Sequence, residues 1–124
     1  MLLPLDPDAS AAQIRERVRE LTSANVGVIV SDSFGRPWRQ GTIDVALGAA
    51  GIRVMEDLRG TRDRIGYELK STQIAIADEL AGAAQLVMGK ADGIPVAVVR
   101  GLDVAGEGTA SELVMPAERD LFRW

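Results

Sequence analysis

Val26-Gly27-Val28-Ile29-Val30 runs directly into Ser31-Asp32-Ser33-Phe34-Gly35-Arg36-Pro37-Trp38-Arg39-Gln40-Gly41. The first five residues are wholly apolar and mostly β-branched, the pattern of a central strand buried on both faces. That pattern breaks at Ser31-Asp32. The stretch from Ser33 to Gly41 holds two glycines, a proline, two arginines and two aromatics, and reads as a loop. Beyond it, Thr42 to Leu47 predicts a second strand and Gly48-Ala49-Ala50-Gly51 a small-residue turn. Ile52 to Asp57 predicts a third strand.

Helices flank this centre. Ser10 to Leu21 reads as one, with a capping-box spacing from Ser10 to Gln13 and negative charge from Asp6 and Asp8 near its start. Ile14, Val18 and Leu21 recur at i, i+4 and i+7 and predict the packed face, leaving Arg15, Arg17 and Arg19 to solvent. Arg59 to Glu68, punctuated by Gly60 and Gly66, reads as a loop. Thr72 to Met88 carries the strongest helical period, through Ile76, Leu80, Ala83, Ala84 and Val87, with Gly89 as its C-terminal cap. Gly93-Ile94-Pro95 is a turn before a fourth apolar strand, Val96 to Val99. From Leu102 to Trp124 no period is evident. Four strands and two helices in mixed order are compatible with either α/β or α+β.

The chain has 124 residues, 47% hydrophobic and 26% charged, enough for one domain over residues 1–124 with its own core. Fourteen basic residues against 18 acidic give a net charge of −4, which argues against a nucleic-acid partner. No cysteine and no histidine are present. Thiolate chemistry, histidine bases and a serine-hydrolase arrangement around Ser31, Ser33 or Thr42 are therefore excluded. A metal here would be a hard cation such as magnesium or manganese, held by oxygens. The first eight residues lack the basic and apolar regions of a signal peptide, and no apolar run reaches transmembrane length. A soluble, cytoplasmic protein without a membrane partner is the expectation.

Asp32 is the first chemical candidate, because an acid at the end of a buried strand stands where open α/β sheets place ligands. Arg36 and Arg39, with Pro37 between them, offer two planar forks suited to phosphate or carboxylate. Asp78 and Glu79 are adjacent acids inside an apolar helix, costly to bury unless paired or metal-bound. Thr72 shares a face with Glu79, and Gln73 lies beside it. Gly89-Lys90-Ala91-Asp92-Gly93 lacks the spacing of a phosphate loop and follows a helix instead of preceding one, so it is rejected as such a motif. The residues alone suggest an oxygen-only, magnesium-compatible site for phosphate or carboxylate chemistry.

Three strings carry a resemblance: Ser31 through Gly51; Tyr67-Glu68-Leu69 with Thr72 through Ala81; and Val87 through Gly101. Together with Asp120-Leu121-Phe122-Arg123, they closely resemble the coenzyme F(420)-0:L-glutamate ligase family, over nearly the whole chain from Leu2-Leu3-Pro4 onward. The resemblance implies an α+β fold, part of the gamma-glutamyl ligase fold, with a mixed sheet of about four strands and two main helices. It implies addition of L-glutamate in γ-linkage to coenzyme F(420)-0, using GTP, with magnesium or manganese required and potassium favouring activity. It also implies an acyl-phosphate route, a homodimer and, in some bacteria, fusion to a nitroreductase-like domain. By position it assigns Asp32 to metal, Gly35 to the neighbourhood of the nucleotide, and Thr72 and Gln73 to a second metal-ligand stretch. Arg36 and Arg39 join Gly35 as nucleotide-binding candidates. Asp78 and Glu79 match a family motif and complete the metal candidates. The chain resembles the second part of the ligase, so an incomplete reaction by this polypeptide alone is expected. The alternative is a non-catalytic fragment or interaction module that keeps the fold and dimer surface.

Overall fold

A computed structural model describes residues 2–122; Arg123, the last residue of the C-terminal string above, and Trp124 lie outside the described residues. The elements are α1 (Pro7–Thr22), β1 (Val28–Gly35), β2 (Thr42–Ala50), β3 (Glu56–Asp57), β4 (Gln73–Ile74) and α2 (Ile76–Met88). Two short 3-10 helices follow, Ala110–Leu113 and Ala117–Arg119. Both strand ladders are antiparallel, β1 with β2 and β3 with β4. Helices beside small antiparallel sheets make the fold α+β.

Helix α1 starts earlier than its pattern suggests. Asp6 is the cap, its carboxylate accepting from the Ala9 N–H at 2.9 Å, and Pro7 supplies a preset φ at the first helical position. Ser10 lies inside the helix and donates to the Asp6 carbonyl. The packed face also differs. Ala11 is fully buried, whereas Ile14 and Leu21 are exposed. A methyl side chain lets the helix axis approach β2 more closely than isoleucine or leucine would. Arg17 and Arg19 pair with Glu20 and Glu16 in solvent, as expected. Arg15 instead turns inward and donates to the Val26 carbonyl and the Asn25 side chain. It occupies the space beside Gly51, where any Cβ would collide with its guanidinium.

The apolar run is not a central strand. β1 begins at Val28 and continues through Ser31, Asp32 and Ser33 to Gly35 as one arm of a hairpin. Its partner β2 absorbs Gly48-Ala49-Ala50, so the expected turn reduces to Gly51, with φ of 75°. The register is Gly35↔Thr42 through Ser31↔Ala46, then Val30↔Gly48. Leu47 is therefore the extra residue of a β-bulge.

The bulge explains how β2 is held. The N–H groups of Asp44, Ala46 and Ala49 face away from β1, spaced by two and then, across the bulge, by three. Gln85 Oε1 takes the first at 3.1 Å, Asp78 Oδ1 the second at 2.9 Å and Asp8 Oδ1 the third at 2.8 Å. Asp78 and Gln85 lie seven apart on α2, two turns along one face. Side chains of both helices thus complete the hydrogen bonding of this strand.

Ile52 to Asp57 forms a ladder only at its end. Ile52 bridges Ala105 and Gly108, Arg53 donates to Val104, and the Val54 carbonyl accepts from Ala77. A backbone that changes partner at nearly every residue cannot build a regular strand, yet it threads the centre. Ile52 and Val54 are buried with Ala49, Ala77 and Ala110 as the core.

Helix α2 is shorter than the Thr72–Met88 period indicates, because Gln73–Ile74 finds a strand partner in Glu56–Asp57. Its buried residues are Ile76, Ala77 and Ala81, so the inward face is turned by about one residue from the predicted one and Val87 is exposed. Gly89 ends it with φ of 63°. Arg59–Glu68 is a loop, ordered by Asp63, which accepts from the Ile65 and Tyr67 N–H groups. Val96 to Val99 forms no strand. No described strand lies alongside to pair its backbone, and Val96, Val98 and Val99 stay exposed.

Candidate functional site

Asp32 stands within β1 of an antiparallel hairpin, not at the carboxyl end of a parallel strand. Its half-buried carboxylate accepts the Ser33 N–H at 2.7 Å. The next side chain turns to the opposite face, as strand alternation requires. Ser31 and Ser33 share that face and donate to the two oxygens of Asp44, at 3.2 and 3.3 Å. Asp44 is only 6% exposed, and hydroxyl donors satisfy the acid. Lys90 reaches this cluster from just beyond α2. Its ammonium donates to Ser33 Oγ and lies 3.8 Å from Asp32 Oδ1.

The turn between the strands holds the nucleotide candidates. A side chain at Gly35 would meet nothing within 4 Å, so the backbone there is open to an approaching molecule. Arg36 donates to the Gln40 carbonyl at 3.2 Å, and its Nε is buried without a partner. Arg39 is exposed. Trp38, at φ of 57°, stacks tilted against Phe122 with ring centroids 5.7 Å apart. Phe34 opens beside the turn into an apolar groove of about 400 Å³, shared with Val45, Leu47, Asp78, Leu113 and Met115.

The other metal candidates do not join Asp32. Thr72 precedes β4, its carbonyl accepting from the Leu58 N–H, and the Gln73 side chain donates to Met55 sulfur. Asp78 holds the Ala46 N–H, and Glu79 is exposed. Among the described residues no hydrogen bond links any two of the five, and no three acids gather as a metal cluster. A hard divalent ion takes about six oxygens. As a centre built by protein alone, this set does not fit. Asp78 has a role already: Asp78→Ala costs about 1 kcal/mol in urea unfolding by orphaning the Ala46 N–H, whereas Asp78→Asn, which keeps an acceptor oxygen, costs less.

Asp44 and Lys90 were missed as site residues. Asp44 falls inside a stretch read as strand, and only the hairpin register sets it between two serines. Lys90 lay in the glycine-bounded run rejected as a phosphate loop. That rejection stands, but Gly89 is a real signal, since a residue of positive φ after a helix fixes where the next side chain goes.

The model of the family described as F420-0:Gamma-glutamyl ligase matches residues 1–101. The chain is 50% identical to the Coenzyme F420:L-glutamate ligase of Methanocaldococcus jannaschii, over 98% of this chain and 50% of that protein. It is 48% identical to the ligase of the same name from Archaeoglobus fulgidus, over 99% and 50%. With that of Methanococcus maripaludis the figures are 46%, 98% and 50%. The chain spans about half the length of these curated relatives. A family model covering most of the sequence, joined to identity near one half along almost all of it, shows that the chain belongs to the F420-0:gamma-glutamyl ligase family.

Proposed function

We propose that this chain contributes the Asp32 hairpin to a ligase that adds L-glutamate in γ-linkage to coenzyme F(420)-0 at the expense of GTP. The observation carrying this reading is the approach of Lys90 to Ser33 and Asp32, in the strand that leads into the open backbone of Gly35. Carboxylate, hydroxyl and ammonium groups meet next to a turn bearing two arginines. Phosphoryl transfer depends on such positioning and charge, with no need for cysteine or histidine.

In the proposed reaction the coenzyme carboxylate attacks the γ-phosphorus of GTP, and the bond to the GDP oxygen breaks. The glutamate amine then attacks the acyl carbon, phosphate leaves, and the amine proton passes to solvent or phosphate. Arg36 and Arg39 hold phosphate oxygens, and Gly35 lets them approach the main chain. Magnesium or manganese belongs to the proposal as a companion of the triphosphate, with Asp32 the one predicted ligand turned to this site. No step is derived through it. Potassium, the homodimer and a cytoplasmic setting complete the reading. No helix of the described residues is long and apolar enough to cross a membrane.

A second reading, a non-catalytic module that keeps the ligase fold, is favoured by the half-length coverage of the relatives. Incubation with F(420)-0, glutamate and GTP, read by mass spectrometry, separates the two. Addition of one glutamyl residue is expected once the half of the ligase outside this chain is supplied, and not with Asp32→Ala. No product from the combined halves would sink the ligase reading. Turnover by this chain alone would sink the module reading.

A further inference from the structure

Residues 94–100 lie between two left-handed glycines, Gly93 at φ of 68° and Gly101 at 90°, and form neither helix, turn nor strand. Their composition nonetheless favours a strand. Ile94, Val96, Val98 and Val99 are β-branched, and Pro95 disfavours helical backbone at Ile94. Hydrogen bonds flank the segment: the Lys90 ammonium donates to Ser33 before it, and the Val104 carbonyl accepts from Arg53 after it. Between them, the backbone of residues 91–103 has no hydrogen bond to any described residue. Val96 and Val98 are 70% and 75% exposed, while Ala97 between them is half-buried, the alternation of a strand with one bare face. Strands that stay in water are guarded by charges, bulges or covering groups. β2 has such guards in Gln85, Asp78 and Asp8. Residues 93–99 carry no charge, and their one proline precedes the valines.

We propose that residues 94–100 are a docking strand whose occupant is an extended apolar segment from the other half of the family's ligases. The family model runs through this segment, and the curated relatives carry as much chain again outside the part that matches. The occupant adds to residues 94–100 through main-chain hydrogen bonds, and its side chains cover Val96 and Val98. Within one polypeptide such a partner is held close by the chain itself, whereas a second copy must be met by diffusion. A second copy is the competing occupant, and the test separates the two. The proposal rests on family membership and not on ligation.

The test is to co-express the intact chain with the half of the Methanocaldococcus jannaschii ligase that lies outside the match, with an affinity tag on that half. The two are expected to co-purify. Amide hydrogen exchange by NMR is expected to be fast at Val96 through Val99 in the chain alone. In the complex at least alternate amides of this run slow by about tenfold or more, because strand pairing engages every second N–H on each edge. Proline removes a donor and obstructs pairing, and neighbouring residues point their N–H groups to opposite edges. One of Ala97→Pro and Val98→Pro is therefore expected to abolish co-purification, whereas Val98→Thr retains it. Val98→Pro is expected to leave the urea midpoint of the chain alone unchanged. Failure to co-purify would overturn the proposal, as would a complex that survives both prolines. Slow exchange in the chain alone that grows with its concentration would assign the strand to a second copy and overturn it equally. Complex formation needs no turnover, so a failed glutamate assay and a failed docking are distinguishable.

Discussion

Asp8→Ala lowers the melting temperature by on the order of 10 °C, following a loss of about 3 kcal/mol. Few side chains join so much of the molecule. Asp8 sits in the first turn of α1, and one carboxylate oxygen accepts from Ala49 of β2 at 2.8 Å and Ala110 at 2.7 Å. The other accepts from Ser111 at 3.2 Å. Helix, hairpin and the 3-10 helix a hundred residues on share a single acceptor. Truncation leaves three N–H groups unpaired at a partly buried junction.

Burial pushes the Asp8 carboxyl up, but the Ala49, Ala110 and Ser111 N–H groups outweigh it and hold it below its ordinary 3.8. The folded value is thus lower than the unfolded one. The stabilisation is complete above the unfolded value and is lost as pH falls through the folded one. Asp8→Asn keeps an acceptor but no charge, so its urea midpoint declines less steeply than that of the unaltered chain below about pH 4.

Gly48→Ala is the second large effect, about 3 to 4 kcal/mol in urea unfolding. A Cβ at this position would lie 2.0 Å from the Pro7 carbonyl oxygen and 2.8 Å from the Asp8 nitrogen. These are backbone atoms at the start of a helix and cannot swing aside as a side-chain tip can. The helix must lift, and lifting it draws Asp8 away from Ala49 and Ala110. The two substitutions therefore act on one contact. In a double-mutant cycle the combined loss is smaller than the sum of the single losses, and full additivity would show that the helix does not move.

The sequence was most legible where local chemistry decides. Gly89 ends a helix because it takes a positive φ itself, and the alanines of α2 allow the close approach that buries Ala77 and Ala81. The order of strand, polar turn and strand around Pro37 was readable as well. What escaped depended on partners distant in the chain. Nothing in Ser31-Asp32 says that a strand continues through it, because the polar groups there are answered by Asp44 across the hairpin and Lys90 from another element. The bulge at Leu47 has no local signature, yet across it the donor that meets Asp8 is Ala49, three residues beyond Ala46. The valines of 96–99 have β-propensity, but propensity does not make a strand without a neighbour to pair with. For the site, Asp32 and the Gly35 turn were named from the sequence. That Asp78 answers the Ala46 N–H and Gln73 reaches the Met55 sulfur required the fold.

The side chains along β2 have one more consequence. A strand flanked by another strand is guarded by a whole backbone, whereas this one is guarded by three single acceptors, Gln85, Asp78 and Asp8. Each can be lost without dismantling the hairpin. Each loss leaves one unanswered donor on a strand rich in small apolar residues, and loss of all three leaves an edge open to strand addition. The groups that bind the helices to the sheet thus also cap the outward donors of this edge, the donors through which strand addition would proceed.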